Sequence, residues 1–223
     1  MTKQERSERT RNALIHSAAD LFDRHGYVQA GLSGISAGAG VSPGALHFHF
    51  KNKSALADAV EWAACQCLRR AARRVHRKEG GALQTLTDIS HVFAVLIREN
   101  VVIRAGVRLN GDTDRTSAVE LREEWQHYVQ RLLTRAVGEG NLRSEFPPDC
   151  FSSMVVAASV GLEVLGRTNE MWLSRSTVTM FWQLMLPRMA AEHVLPSVDP
   201  AGRDDAVHFA LMAPPHGMSS PPP

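Results

Sequence analysis

The sequence predicts an all-α protein built from a three-helix N-terminal domain, which contains a helix-turn-helix, and a larger helical C-terminal domain. Apolar residues recur every three or four positions along most of the 223 residues, which is the spacing that puts them on one face of a helix. Glycine and proline pairs, such as Gly80-Gly81 and Pro147-Pro148, separate one apolar stripe from the next. No stretch shows the period-two alternation that is typical of a half-buried strand.

The first helix is expected to follow a mobile arm, residues 1–6, and to run to about His25. Arg24 and His25 favour a helix C-terminus, and Gly26 suits the position just beyond it. The apolar face of this helix consists of Leu14, Ala18, Leu21 and Phe22. This helix should support the pair of helices that follows.

The next stretch has the pattern of a helix, a glycine turn and a second helix. The first helix covers Leu32–Ala39, the turn is Gly40–Ser42, and the second helix covers Pro43–Phe48. Ser42 can cap the free backbone N–H groups, and Pro43 suits the first helical position because no N–H is needed there. Two short helices joined by a tight turn can place the second one in the major groove of DNA.

The first helix of this pair has weak local signals. Gly31 has no side chain to cap it, and Gly34 and Gly38 each cost a helix about 1 kcal/mol relative to alanine. We therefore expect this helix to be marginal in the free protein. Ser33 and Ser36 could still donate hydrogen bonds to phosphate.

Composition fits a soluble globular protein, with a net charge of +2 and 44% hydrophobic residues. Up to Lys53 the chain carries seven lysines and arginines but four acidic residues, so a local basic face can bind phosphate. No apolar run resembles a signal peptide or a membrane span, which favours a cytoplasmic location. The cysteines, Cys65, Cys67 and Cys150, do not form the spaced pairs of a disulfide framework or a metal site.

Further helices are expected along the rest of the chain. The fourth should begin near Lys53 and continue into the eighties, and later stripes predict helices around 86–97, Val101–Leu109, Leu121–Ala136, Asp149–Gly166 and Ser176–Leu195. From Pro196 on, Pro, Gly, Ser and Asp dominate, which is typical of a disordered tail. The predicted division is a helix-turn-helix domain at 1–55, a helical domain at 56–195 and a disordered tail at 196–223.

The helix-turn-helix residues resemble the DNA-binding motif of TetR-family repressors. The positions that match are Ala39-Gly40-Val41-Ser42, Gly44, Leu46, His47, His49, Phe50 and Lys53. The resemblance implies a repressor that binds a palindromic DNA operator as a homodimer. The residues expected to contact DNA are Gly31, Ser33, Ser42, Pro43, Gly44, Ala45, His47, His49, Lys51 and Lys53.

These expected DNA contacts divide into two kinds. The resemblance implies that His47, His49 and Lys53 hold phosphates, although the family more often has tyrosine at position 47. Pro43, Gly44 and Ala45 would face bases and would read them by apolar contact or by close approach of the backbone.

A narrower resemblance links the chain to the γ-butyrolactone autoregulator receptor branch of the TetR family. It depends on GALHFHFKNKSALADAV, on VRLN at Val107–Asn110, on Trp125 and on LLTRAVGEGNLRSEF at 132–146. It implies that Trp125 lies against a small lactone whose binding releases DNA. The other apolar residues that could line this pocket are Phe93, Leu96, Val129, Met154 and Val155.

The last two long helices are expected to form the dimer, because the corresponding helices of TetR-like repressors pair as a four-helix bundle. Small residues that would allow close approach are Ala157, Ala158, Ser159 and Gly161. Bulky residues that would fill the interface are Val178, Phe181, Trp182 and Met185.

Three alternatives to a lactone-responsive repressor remain open at this point. One is an orphan repressor that responds to an antibiotic or to no ligand, and another is a generic multidrug-efflux regulator. The third is an enzyme, which no Ser/His/Asp set, metal-ligand spacing or phosphate loop supports. We therefore expect no catalytic residues, no metal and no cofactor.

Overall fold

The computed structural model describes residues 2–76, 80–112, 115–143, 145 and 147–212, except for the side chains of 209 and 210. Within these ranges the secondary structure is helical, apart from one isolated bridge between Leu142 and Ala190. The α-helices are α1 (Lys3–Gln29), α2 (Leu32–Gly38), α3 (Pro43–His49), α4 (Lys53–His76), α5 (Ala82–Glu99), α6 (Val101–Asn110), α7 (Leu121–Gly138), α8 (Pro148–Gly166), α9 (Arg175–Met189) and α10 (Asp204–Leu211). Short 3-10 turns lie at Glu170–Leu173 and Leu195–Ser197.

The chain divides into two units. Among the described residues, the N-terminal unit holds those up to Leu68 together with those of Asn100–Leu121, and the C-terminal unit holds those of Arg69–Glu99 together with those from Arg122 to Met212. This division differs from the expected boundary at 55/56, because α6 packs against α1 and because the first half of α4 shares the core of the N-terminal unit.

The first helix begins earlier than the sequence analysis expected. Thr2 and Glu5 form a capping box, in which the Glu5 N–H donates to Thr2 Oγ1 at 3.2 Å and the Thr2 N–H donates to Glu5 Oε2 at 2.7 Å. The expected mobile arm at residues 1–6 is therefore wrong from Lys3 on. The expected break at Gly26 is present within α1, where φ is 76°.

The C-terminal end of the described chain is also more ordered than expected. The last long helix, α9, ends at Met189 rather than Leu195, and Ala190 then takes extended backbone angles. The disordered tail predicted from residue 196 is wrong for the described part of it, because α10 forms and packs against α5. Residues 213–223 lie outside the described residues.

A buried carboxylate holds this segment, residues 199–212, which we call the C-terminal strap. Asp88 on α5 is fully buried and accepts hydrogen bonds from the Arg203 backbone N–H at 2.9 Å and from Arg203 Nη2 at 2.8 Å. One turn earlier on α5, Gln84 Oε1 accepts from the Asp199 N–H at 2.7 Å. The strap is ordered because it supplies the partners that these buried polar groups need.

Replacing the buried carboxylate should destabilise the C-terminal unit. In Asp88→Ala the half-buried Arg203 guanidinium and its backbone N–H lose their acceptor, and we expect a loss of about 3 kcal/mol in the free energy of unfolding. Chemical denaturation with a fixed m-value would measure it. The control is Glu120→Ala at an exposed position, which should stay within about 0.5 kcal/mol of wild type. Equal stability of the two variants would contradict the role of Asp88.

Candidate nucleic-acid interface and effector site

Helix α3 is fixed at its start by a side-chain cap. Ser42 Oγ accepts a hydrogen bond from the Ala45 N–H at 3.2 Å, and Pro43 occupies the first helical position. Gly40 adopts φ 66° in the turn before it, which is the left-handed region that glycine enters at no steric cost. The turn and the cap therefore have the geometry that the sequence predicted.

One side of α3 is buried in the core of the N-terminal unit. Leu46 and Phe50 pack there with Ile15, Phe22 and Ile35 from α1 and α2, and all five side chains are buried. Because this side of the helix is buried, the opposite side of α3 faces solvent.

Helix α2 approaches α1 closely at Gly38. A Cβ on Gly38 would lie 2.5 Å from Ser17 Oγ, and that hydroxyl donates to the Ile35 carbonyl at 2.9 Å. The lack of a side chain thus allows the contact, which offsets part of the helix cost noted above. Ser36 is buried and donates to the Ser33 carbonyl at 3.0 Å, so it is not available to a phosphate.

The predicted DNA-contact residues lie at the start of α2, in α3 with its N-cap, and around the start of α4. Seven are exposed, namely Gly31, Ser33, Ser42, Pro43, Gly44, His47 and Lys51. Three are half-buried, namely Ala45, His49 and Lys53.

Phe48 is an exposed residue of α3 that was not among the predicted DNA contacts. Its side chain is 81% exposed, and its ring lies 5.3 Å from the ring of His49 in an edge-on arrangement. A large apolar side chain at the surface of a short exposed helix is a candidate for contact with thymine methyl groups. The signal available in the sequence was its position between His47 and His49, two residues away from each of the buried side chains of Leu46 and Phe50.

Lys53 makes contacts within the protein that the resemblance did not imply. Its Nζ donates to the carbonyls of Val28 at 3.0 Å and Ala30 at 3.1 Å, and it lies 4.7 Å from the centre of the Tyr27 ring. Two of the three N–H donors of its ammonium group are thus used within the protein. Lys53 joins the start of α4 to the corner between α1 and α2.

His49 is half-buried near Arg11, whose guanidinium lies 5.3 Å from the centre of the adjacent Phe50 ring. Partial burial, and secondarily the positive charge of Arg11, lower the pKa of His49 below its ordinary value. At neutral pH in the free protein, His49 is therefore a neutral hydrogen-bonding group rather than a cation.

An aromatic group in the C-terminal unit joins α5 to α7. The ring of Phe93 lies 5.1 Å from that of Trp125, and the Trp125 ring stacks on that of Tyr128 at 6.1 Å. Of the other predicted pocket residues, Val129 and Val155 are fully buried and Leu96 is half-buried against the same core.

Several polar atoms of this core are buried without a hydrogen-bond partner among the described residues. They include Trp125 Nε1, Tyr128 Oη and Ser152 Oγ. Burial raises the pKa of Tyr128 to about 12, so its hydroxyl remains protonated and can donate a hydrogen bond at physiological pH. Buried donors of this kind suit a ligand that brings acceptor oxygens.

Met154 does not belong to this core, which corrects its prediction as a pocket residue. Its side chain is 56% exposed on the outer face of α8, whereas the next residue, Val155, faces inward. Consecutive helical residues point about 100° apart, so the two cannot line the same surface.

The outer faces of α8 and α9 expose a stripe of apolar residues. Its members are Met154, Ala157, Val164, Leu165, Met180 and Leu184. The bulky residues predicted to fill a dimer interface lie elsewhere, since Val178 and Trp182 are buried within the subunit and Phe181 and Met185 are half-buried. The predicted small residues Ala158 and Gly161 are half-buried, and Ser159 donates to the Val155 carbonyl at 2.7 Å.

Comparison with known proteins identifies the helix-turn-helix and the whole fold. A family model described as bacterial regulatory proteins of the TetR family matches residues 14–60. The A-factor receptor protein of Streptomyces griseus is 29% identical over 206 residues, which span 92% of this chain and 72% of that protein.

Two solved structures are similar over nearly their whole length. A gamma-butyrolactone receptor (ArpA-like protein) has a TM-score of 0.75 at 29% identity, and 92% of this chain and 96% of that one are covered. The TetR family protein CprB from Streptomyces coelicolor, solved in complex with its biological operator sequence, has a TM-score of 0.72 at 30% identity, with coverage of 92% and 96%.

The helix-turn-helix and these similarities together place the protein in the class of DNA-binding transcriptional regulators. The chain belongs to the TetR family of bacterial regulatory proteins. The predictions of an all-α fold, of similarity to γ-butyrolactone receptors and of a regulator rather than an enzyme are thereby confirmed.

The two lysines that follow α3 should respond differently to substitution. Lys51→Ala removes an exposed charge, so we expect the slope of log affinity for DNA against log salt concentration to become shallower by about 1. Lys53→Ala removes contacts to backbone carbonyls, so we expect lower thermal stability and weaker binding with a smaller change in slope. Fluorescence anisotropy titrations at several salt concentrations would separate the two. Identical slopes for both variants would argue against this distinction.

Proposed function

We propose that this protein is a transcriptional repressor that binds a palindromic operator as a homodimer and leaves it when a γ-butyrolactone-like molecule binds. The observation that carries the proposal is the exposed side of α3. The opposite side of this helix packs into the core of the N-terminal unit, and its start is fixed by the Ser42 cap. The similarity to CprB, which was solved with its operator, supports the same role for α3 here.

On this proposal, phosphate contacts fix the position of α3 and base contacts give sequence preference. Ser33, Ser42, His47 and Lys51 are exposed polar residues at the edge of the surface and suit phosphate oxygens. The exposed residues Pro43, Gly44, Ala45 and Phe48 suit base edges, although Ala45 is exposed only in part. Apolar contact with thymine methyl groups would dominate this reading, because none of these side chains carries a hydrogen-bond donor.

The exposed apolar stripe on α8 and α9 supports the dimer. One module of this kind covers only a few base pairs, so a second copy related by a two-fold axis is needed for useful specificity. Among the described residues, α8 is the one helix long and apolar enough to cross a membrane by length and composition. We attribute its exposed apolar face to pairing with a second copy, and we place the protein in the cytoplasm, where its DNA is.

The unpaired donors of the C-terminal unit support a neutral effector with acceptor oxygens. A lactone carbonyl could accept from Trp125 Nε1 or from the Tyr128 hydroxyl, while its alkyl part packs against Phe93 and the buried valines. Release of DNA requires that the effector bind the DNA-incompetent arrangement more tightly than the competent one. The named relatives, an A-factor receptor and a gamma-butyrolactone receptor, suggest this class of ligand.

Footprinting tests the proposal directly. DNA upstream of the protein's own gene and of neighbouring genes is probed with and without γ-butyrolactones, and we expect a palindromic protected region that disappears when a lactone is added. The orphan repressor would be favoured if no lactone removes the protection and if either an antibiotic or none of the tested compounds raises the melting temperature of the protein. Shifts from many unrelated apolar drugs would favour a multidrug regulator.

Dimerisation should depend on the exposed stripe of α9. Leu184 is 76% exposed, so Leu184→Glu should leave the subunit folded but place a charge in the dimer interface. We expect a monomer by analytical ultracentrifugation and operator affinity lower by at least tenfold. Gln126→Glu, an exposed position on α7 in the same unit, is the matched control and should remain dimeric. A dimeric Leu184→Glu with full affinity would exclude this interface.

The effector response should depend on the aromatic group. Trp125→Ala removes the ring that contacts both Phe93 and Tyr128, so we expect effector-induced release to be lost while affinity for the operator without effector stays the same. Wild type should show a ratio of operator dissociation constants, with and without effector, in the range of about 5 to 150. The control is Trp172→Ala, which alters a partly exposed tryptophan of the same unit. If the ratio is unchanged in Trp125→Ala, the effector binds elsewhere.

A further inference from the structure

Two cations from distant parts of the N-terminal unit lie close to the Tyr27 ring. Tyr27 follows the Gly26 break at the end of α1. Lys53 Nζ, at the start of α4, lies 4.7 Å from the ring centre, and the Arg115 guanidinium carbon, in the loop after α6, lies 5.4 Å from it. Both distances are within the range of cation–π attraction. Three segments of the unit therefore meet at one aromatic ring.

The guanidinium of Arg115 is also bound to two carboxylates of α4. Its Nη2 lies 2.6 Å from Asp58 Oδ1 and its Nη1 lies 2.8 Å from Glu61 Oε2. The Arg115 side chain is 5% exposed, and Glu61 is fully buried and also accepts from Ser117 Oγ at 2.9 Å. A buried carboxylate with these partners fixes the guanidinium, because moving either group would leave a charge unpaired away from water.

The corner that Arg115 contacts leads directly into the DNA-binding helices. Lys53, which shares the Tyr27 ring, donates to the carbonyls of Val28 and Ala30. The next residue, Gly31, is the N-cap of α2, and it carries no side-chain cap that could fix the start of α2 independently. Ser17 and the buried Ile35 fix the body of α2 on α1, whereas the start of α2 depends on how the corner is held. The placement of α3, which packs against α2, depends on both.

We propose that Arg115 is a positioning residue for operator binding. Its side chain holds the corner between α1 and α2 at Tyr27, and this corner keeps α2 and α3 in the arrangement that fits DNA. Arg115 itself contacts no phosphate, because its charge is buried. The proposal rests on the operator binding proposed above. It assigns to the loop after α6 a role in reading DNA that its sequence does not suggest. Preorganisation of this kind raises affinity because less conformational entropy is lost when the protein binds DNA.

The first experiment needs no DNA. Hydrogen–deuterium exchange is measured on free wild-type protein and on Arg115→Met, and we expect the amides of residues 27–35 to exchange at least fivefold faster in the variant. The matched control is Arg203→Met, which removes the guanidinium partner of another fully buried carboxylate, Asp88, in the C-terminal unit. The proposal is overturned if the amides of residues 27–35 exchange at the wild-type rate in Arg115→Met. It is also overturned if the same amides exchange equally faster in Arg203→Met.

The second experiment measures DNA binding per folded protein. The probe is the duplex that wild type selects from a random-sequence pool, and we expect Arg115→Met to bind it at least tenfold more weakly with the same slope of log affinity against log salt concentration. A slope shallower by about 1 would show that Arg115 contacts a phosphate directly. Unchanged affinity would show that the ion pairs of Arg115 have no role in DNA binding. Either result overturns the proposal.

Two further variants keep these tests decisive. If Arg115→Met does not fold, Glu61→Gln combined with Arg115→Met removes both charges and is measured in its place. Arg115→Lys keeps the charge but loses the planar fork that reaches both carboxylates, so we expect it to restore exchange and affinity only in part. If wild type selects no duplex, the proposed function fails, while the exchange data still decide whether Arg115 holds the corner.

Discussion

The burial of one side of α3 is the constraint on which DNA recognition by this protein depends. The helix has seven residues, and isolated helices shorter than about 12 residues are marginal in water. Its conformation therefore depends on the Ser42 cap and on burial of Leu46 and Phe50 in the core of the N-terminal unit. Any change that loosens this core changes the recognition surface as well, because α3 has no independent stability.

Each unit places one segment by burying a carboxylate as well as by apolar packing. In the N-terminal unit Glu61 binds Arg115 of the loop after α6, and in the C-terminal unit Asp88 binds Arg203 of the C-terminal strap. Such pairs add little net stability compared with apolar packing, but losing one partner is costly. They therefore select one arrangement of a segment that apolar burial alone would hold only loosely.

The features that the sequence predicted are those with local causes, such as the glycine turn and the cap of α3. The capping box of Thr2 and Glu5 is equally local, but it lies in a polar stretch whose composition suggested an arm. The contacts of Lys53 and the order of the C-terminal strap arise between residues far apart in the chain, so spacing could not predict them. The prediction for Met154 was wrong because α8 is apolar on several sides. In such a helix the spacing of apolar residues shows that a helix forms but not which of its sides faces the core.

The chemistry of the recognition surface also bears on how a weak signal could release the protein from DNA. The side chains of Pro43, Gly44, Ala45 and Phe48 carry no hydrogen-bond donors, so in the proposed complex each copy should discriminate between sequences only modestly. Specific affinity must then come from two copies that engage their half-sites together. If an effector misaligns one copy, much of the specific binding energy is lost at once. A recognition helix with many bidentate hydrogen bonds to bases could, in contrast, hold one half-site by itself. A coupling free energy of about 1–3 kcal/mol, typical of allosteric proteins, is then sufficient for a switch.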